Sequence, residues 1–114
     1  MHNFIDSLSD HAEIMNAHGH TSSYHFFYHR TKRYNVTIAY RRTESNSVIY
    51  GAAFCRPGDQ FSKKLGRNIA CGRMDTYNNC IENPGSARWE VHESILDQLT
   101  YGVVDPYVPD NFRP

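Results

Sequence analysis

Hydrophobic positions recur along the chain first at helical and then at strand spacing. Phe4, Leu8, Ala12 and Met15 repeat every three to four residues, and Ile5 widens the stripe. Asn3 is placed to cap this segment. Asp6 suits a first turn, where free N–H groups carry partial positive charge. Gly19 can take positive φ and end the run. The pattern predicts a helix over about residues 3–17.

The period then changes. Tyr24 to His29 is aromatic-rich, Tyr34 to Arg41 alternates apolar and polar, and Val48 to Cys55 is again strand-like. Polar connections at residues 30–33 and 43–47 separate the three, which predicts an antiparallel meander. Gly51, Ala52 and Ala53 make the third strand thin enough for close approach of another element.

Arg56-Pro57-Gly58-Asp59 breaks that strand, and Asp59 can cap a helix running to about Arg73. At 100° per residue, Phe61, Leu65, Ile69 and Gly72 share an arc of roughly 80°, the predicted buried face. Lys63, Lys64 and Arg67 fall broadly opposite, with Gly66 and Ala70 between, one turn apart. Asn78-Asn79 and Asn83-Pro84-Gly85 read as a linker. Ser86 then caps a third helix of about residues 87–101, with Val91, Ile95 and Leu99 on one face, Trp89 and Leu96 nearby, and Gly102 at its end. The last twelve residues hold three of the five prolines and read as extended, with Tyr107 and Phe112 as anchors on the core or on a partner. The expected fold is α+β: an N-terminal helix, a three-stranded meander, two C-terminal helices and a Pro-rich tail. A single domain spans residues 1–102, followed by a tail of residues 103–114.

A chain of 114 residues is one domain's worth. No apolar run approaches the roughly 18–20 residues of a membrane span. Residues 1–8 carry Asp6 and lack the basic start and apolar middle of a signal peptide. The expected setting is cytoplasmic, without membrane contact. Cys55, Cys71 and Cys80 are odd in number and widely spaced, so they are expected to be reduced and mostly buried.

The net charge of zero conceals segregation. Between residues 30 and 73 lie Arg30, Lys32, Arg33, Arg41, Arg42, Arg56, Lys63, Lys64, Arg67 and Arg73, against Glu44 and Asp59 only. The flanks are acidic. A basic middle of this kind is either neutralised internally or forms an electropositive face.

The strongest chemical signal is residues 56–73. Cations near a helix start are mildly unfavourable alone, and they become favourable when an anion sits on the free N–H groups. Arg56, Phe61, Lys63, Lys64, Arg67 and Arg73 are therefore the candidate ligand-binding residues. The cations would take phosphates, and Phe61 or a tyrosine would stack on a base. The alternative is a solvated face partly paired with Glu90, Glu93 and Asp97 of the third helix. Neither G-x-x-x-x-G-K-[ST] nor G-x-G-x-x-G occurs, so nucleotide hydrolysis and dinucleotide redox chemistry lack motif support, and no cofactor is implied.

His11, His18, His20, His25 and His29 form a dense set, and histidine is a common metal ligand. On a strand, however, His25 and His29 stand about 13 Å apart. Nucleophilic catalysis has its residue types in the three cysteines and His92, without a spacing that ties them together. Tyr28, Tyr34, Tyr40 and Tyr50, interleaved with Arg33, Arg41 and Arg42, could stack and clamp nucleic acid, against a neutral overall charge.

The run Ser47-Val-Ile-Tyr-Gly-Ala-Ala-Phe-Cys-Arg-Pro-Gly-Asp-Gln-Phe-Ser-Lys-Lys-Leu-Gly-Arg-Asn-Ile-Ala-Cys-Gly-Arg73 resembles a strand-to-helix unit of small bacteriophage accessory proteins, reading D-x-F-x-K-K-x-G-R-x-I-A. The resemblance covers about a quarter of the chain. It implies a non-enzymatic inhibitor of a host antiviral defence, in the host cytoplasm, acting by stoichiometric binding. One form sequesters an anionic nucleotide signal as a homo-oligomer, with Gly66 and Ala70 letting helices approach. Another, anti-CRISPR-like, binds a host defence protein. A nucleic-acid-binding regulator and a small metal-dependent enzyme complete the alternatives.

Overall fold

In the computed structural model, the described residues are 13–15, 21–58, 62–102 and 105–114, with no side-chain description for 13–15 and 21–23. The elements are β1 (Glu13–Met15), β2 (Thr21–Ser23), β3 (His25–Arg30), β4 (Asn35–Arg42), β5 (Ser47–Cys55), α1 (Lys63–Tyr77), β6 (Asn79–Glu82), α2 (Arg88–Tyr101) and a 3-10 turn at Asp110–Phe112. β1 and β2 form a separate antiparallel pair, and the main sheet is antiparallel in the order β3-β4-β5-β6.

This corrects the expected architecture in two places. Glu13, Ile14 and Met15 are extended and pair with Ser23, Ser22 and Thr21. The N-terminal helix therefore does not reach them, and the remainder of that expected helix lies outside the described residues. Ile14 and Thr21 are β-branched and favour such pairing. Gly19, the expected helix stop, lies outside the described residues. The second correction is β6, expected as linker. Asn78 adopts the left-handed conformation, φ 53°, and its N–H donates to the Met74 carbonyl, turning the chain back beside β5. Cys80 then pairs with Ile49 and Ile81 with Val48. A strand of four residues with one inward hydrophobic side chain is too short to show a period.

The three strands of the meander lie where the alternation places them, and the sheet adds β6 to them. Period-2 geometry sends successive β4 and β5 side chains to opposite faces. Val36, Ile38, Tyr40, Val48, Tyr50 and Ala52 face one way and enclose a core with Val91, Ile95 and Leu99 of α2. Burying each of those α2 side chains is worth about 1.5–3 kcal/mol. Ala39 and Ala53 face the other way, against Ala70 of α1. The two helices thus lie on opposite faces of the sheet.

The faces differ in thickness. Tyr40, Tyr50 and Ile38 hold α2 at a distance, whereas α1 lies directly on small residues. A Cβ at Gly51 would stand 2.3 Å from both the Ala70 carbonyl oxygen and the Met74 nitrogen, and one at Gly66 would stand 2.7 Å from Thr37 Oγ1. That close seat decides which side of α1 is buried. Gly66, Arg67, Ala70 and Met74 face the sheet, while Leu65 and Ile69, expected inside, are 58% and 37% exposed. The helix is capped by Ser62, whose hydroxyl accepts from Leu65 N–H at 3.2 Å, and it continues past Gly72 to Tyr77. α2 begins after Ala87, whose N–H donates to Glu90 Oε1 at 3.0 Å.

Residues 105–114 pack on the core shared with α2, and Tyr107 also reaches Arg73 and Tyr77 of α1. Val108 is buried, Tyr107 and Phe112 pack on the core, and Asn79 Nδ2 donates to Asp105. Tyr34 bonds Asn111 Oδ1 at 2.5 Å, and Arg113 donates to the carbonyls of Thr100 at 2.7 Å and Gly102 at 2.5 Å. These last bonds place a cation on the carbonyl end of α2, where it is favoured. Among the described residues, no helix is long and apolar enough to cross a membrane.

Candidate functional site

The end of β3, the beginning of β4 and the first turn of α1 converge on one cleft. Tyr28, His29 and Arg30 pair with Thr37, Val36 and Asn35 respectively, so the hairpin delivers Tyr28, His29, Arg30, Asn35 and Val36 to one corner of the sheet. The short Ser62 cap brings Lys63 over that corner. Together these six residues line a cavity of about 260 Å³.

Its walls carry three kinds of chemistry. Lys63 Nζ stands 5.2 Å from the centre of the Tyr28 ring, within cation–π range, and Arg30 adds a second, exposed cation. The Tyr28 ring is 38% exposed and offers a flat aromatic surface. Asn35 Oδ1 is buried and has no hydrogen-bond partner among the described residues. An unmet buried acceptor costs about 1–3 kcal/mol, which a donor on a bound molecule would offset. The first turn of α1 contains no acidic residue to compete for an anion.

Behind the cleft lies Arg67, only 2% exposed. Its Nη1 donates to the Tyr28 hydroxyl at 3.1 Å, and its guanidinium carbon lies 5.9 Å from the centre of the Phe26 ring. Arg67 therefore orients Tyr28 from below and does not project to solvent as a ligand contact would.

The other candidate residues disperse. Lys64 is exposed on the first turn of α1, and Arg56 is exposed just past β5. Arg73 lies ten residues beyond Lys63, about 15 Å along the helix. There it donates to the Ala52 carbonyl at 3.0 Å and lies 4.5 Å from the centre of the Tyr107 ring. Phe61 lies outside the described residues. Of the set chosen from sequence, Lys63 lines the cleft and Arg67 supports it. Asn35 is not singled out by the sequence, and Tyr28, His29 and Arg30 stand there in other sets; the signal that joins them is register, because the short β3–β4 connection pairs the end of one strand with the start of the next.

The acids expected to neutralise this helix lie elsewhere. Glu90, Glu93 and Asp97 belong to α2, on the far side of the sheet, with Glu93 and Asp97 exposed. Gly66 and Ala70, expected to admit a second copy, are buried against the chain's own sheet. The expected tyrosine platform for nucleic acid is not a surface either, because Tyr34, Tyr40 and Tyr50 are core residues.

All three cysteines are free, and Cys80, expected inside, is exposed. Burial, reinforced by Asp75, pushes the Cys71 thiol up to about 12, with Arg67 opposing, so Cys71 stays protonated at neutral pH. Among the described residues, no three His, Cys, Asp or Glu side chains gather as a metal-ligand set. His11, His18 and His20 lie outside them. In comparisons with known proteins, no family model, no curated protein and no solved structure matches this chain.

Proposed function

We propose that the chain is a non-enzymatic binding protein that holds an anionic, nucleotide-like small molecule in the Tyr28–Lys63 cleft. The observation that carries this reading is the pairing of the Lys63 ammonium with the partly exposed Tyr28 ring, beside the unmet acceptor of Asn35. A phosphate would meet Lys63 and Arg30, a base would stack on Tyr28, and a sugar hydroxyl or base amine would donate to Asn35 Oδ1. Lys64 and Arg56, exposed nearby in the chain, would add to the attraction for an anion. The phage-like segment at residues 47–73 supports the corresponding biological role, sequestration of a nucleotide signal used by a host antiviral defence.

Native mass spectrometry of protein purified from cells with and without an active nucleotide-signalling defence tests this. A co-purifying small anion that is lost in Lys63→Ala and Tyr28→Ala supports the reading. A clean apo mass from both sources, with no binding to adenine nucleotides added at millimolar concentration, rejects it.

A second reading, binding to a host defence protein, is favoured by the exposed face of α2. Trp89 and Tyr101 are 66% and 74% exposed there, with Glu93 and Asp97 between them in the helix. Exposed aromatic side chains are enriched in protein-binding surfaces. Pull-down from host lysate with Trp89→Ala and Tyr101→Ala as controls separates the two.

A further inference from the structure

A second cleft lies where β3 and β4 meet the start of α2, and none of the six ligand-binding residues chosen from sequence lines it. It has a volume of about 360 Å³ and is lined by His25, Phe26, Phe27, Tyr28, Tyr40, Arg88 and His92. That volume is at the lower end of small-ligand sites.

The two histidines are held rigidly. The His92 ring stacks on Phe27, with centroids 3.9 Å apart and planes at 13°. The His25 ring stacks on Tyr40 at 5.1 Å and 27°. Tyr40 and His92 are also joined by a hydrogen bond, phenolic oxygen to Nε2, at 3.2 Å. Aromatic planes thus fix both imidazoles at the rim of one cavity, where a buried hydroxyl meets a ring nitrogen.

The charge around the cleft is of one sign. Arg88 lines it. Arg42 of β4 acts on both His25 and Tyr40, and its guanidinium is anchored on the carbonyls of Gly85 and Ser86 at 3.4 and 3.1 Å. The charged groups acting on the two histidines, among the described residues, are these two arginines and the histidines themselves. Among the described residues, no carboxylate lines the cavity.

We propose that this cleft is a second ligand site, which takes a small phosphomonoester: Arg88 and the two imidazoles meet the phosphate, and Phe27 and Tyr40 wall the organic part.

The site is built to couple binding to proton uptake. In the absence of an anion, burial and then the field of Arg88 hold both imidazoles below the ordinary histidine range, with Arg42 adding to the effect on His25 and His25 to that on His92. A phosphate placed among them reverses the balance, because a nearby negative charge favours the protonated ring. Protonation of His92 fixes its hydrogen bond with Nε2–H as donor to the phenolic oxygen, which leaves the Tyr40 O–H free to donate elsewhere. Each proton taken up thus adds a donor or a positive charge near the phosphate. Affinity for the phosphate dianion therefore rises as pH falls through the histidine range, until the phosphate itself takes up a proton at about pH 6.

The experiment is an NMR titration of the full chain with inorganic phosphate and, separately, with adenosine monophosphate, following the histidine ring signals between pH 5.5 and 7.5. The expected result is saturable shifts of His25 and His92, a rise in the titration midpoint of each, and at least tenfold weaker binding in Arg88→Ala. Stronger binding of the nucleotide than of phosphate identifies an organic phosphate as the ligand; equal binding identifies free phosphate. Lys63→Ala leaves the response intact if the two clefts are independent. The proposal is overturned if neither histidine responds at millimolar probe, if Arg88→Ala responds as the wild type does, or if Lys63→Ala abolishes the response. The histidine signals and Arg88→Ala read this cleft, and Lys63→Ala reads the neighbouring one, with which it shares Tyr28.

Discussion

Arg67 donates a hydrogen bond to the Tyr28 hydroxyl at 3.1 Å while it is almost wholly enclosed between α1 and the sheet. A charged side chain in such a place is tolerated when its donors are met, and here one of them sets the attitude of the ring that forms the cleft wall.

Arg67→Ala is therefore expected to damage both stability and binding. Truncating this buried side chain leaves a cavity and takes a donor from the Tyr28 phenol, which should cost about 2–5 kcal/mol, and the freed Tyr28 ring should weaken ligand affinity in whatever fraction remains folded. Lys63→Ala should change stability by less than about 0.5 kcal/mol while reducing affinity. Urea unfolding alongside calorimetric titration checks the pair. Equal stability losses would make the two lysine and arginine roles indistinguishable and sink the assignment.

Two glycines give opposite predictions. A methyl group at Gly51 meets the α1 backbone itself at 2.3 Å, and backbone cannot rotate aside. Gly51→Ala should cost roughly 3 kcal/mol or more, or detach α1 from the sheet. At Gly72 nothing lies within 4 Å of the added carbon. Gly72→Ala should stabilise by about 0.5–1 kcal/mol through helix propensity. Thermal unfolding followed by circular dichroism reads both.

The inward face of α1 can be tested against the face its periodicity suggested. Leu65 is more than half exposed and Ile95 wholly buried. Leu65→Ala should cost less than about 0.5 kcal/mol and Ile95→Ala about 2–5 kcal/mol. A large loss at Leu65 would mean that the helix is rotated, or that this face is covered in solution.

Alkaline pH should unfold the chain in a defined window. Burial pushes the Tyr50 hydroxyl up to about 12, against a partial lowering by the bond from Gln98, and burial raises Tyr107 as well. In the unfolded chain these phenols ionise near 10. Between pH 10 and 12 the unfolded state has lost protons that the folded state keeps, so stability falls as pH rises. The contribution of Tyr50 is present in full below pH 10 and amounts to about 2–3 kcal/mol. Urea midpoints measured from pH 8 to 12 should fall steeply only above 10, and Tyr50→Phe should flatten that limb.

Legibility in the sequence followed the length of the pattern. β4 and β5 alternate over eight and nine residues, and α2 repeats Val91, Ile95 and Leu99 around a wide core, so both were readable. The period of α1 marks it as a helix but points to the wrong buried face. Leu65 and Ile69 are its large hydrophobic residues, and the usual rule sends those inward. Here the sheet beneath is built from Gly51, Ala53 and Thr37, so a close fit of Gly66 and Ala70 outweighed the burial of larger side chains. β6 and the β1–β2 pair are too short for any period to show. The basic first turn of α1 was visible as a site because charge is readable locally. Its partners Tyr28 and Asn35 lie 35 and 28 positions away in the chain, and only strand register brings them to Lys63.

The placement of α1 and α2 on opposite faces has an electrical consequence. The chain carries no net charge, yet its basic helix and its acidic helix are held apart by the full thickness of a sheet. The two helices set a field across the sheet. An anion diffusing toward the molecule is drawn to the α1 side and, on the other face, only to the Arg42–Arg88 end of α2, and the approach slows as salt screens the field.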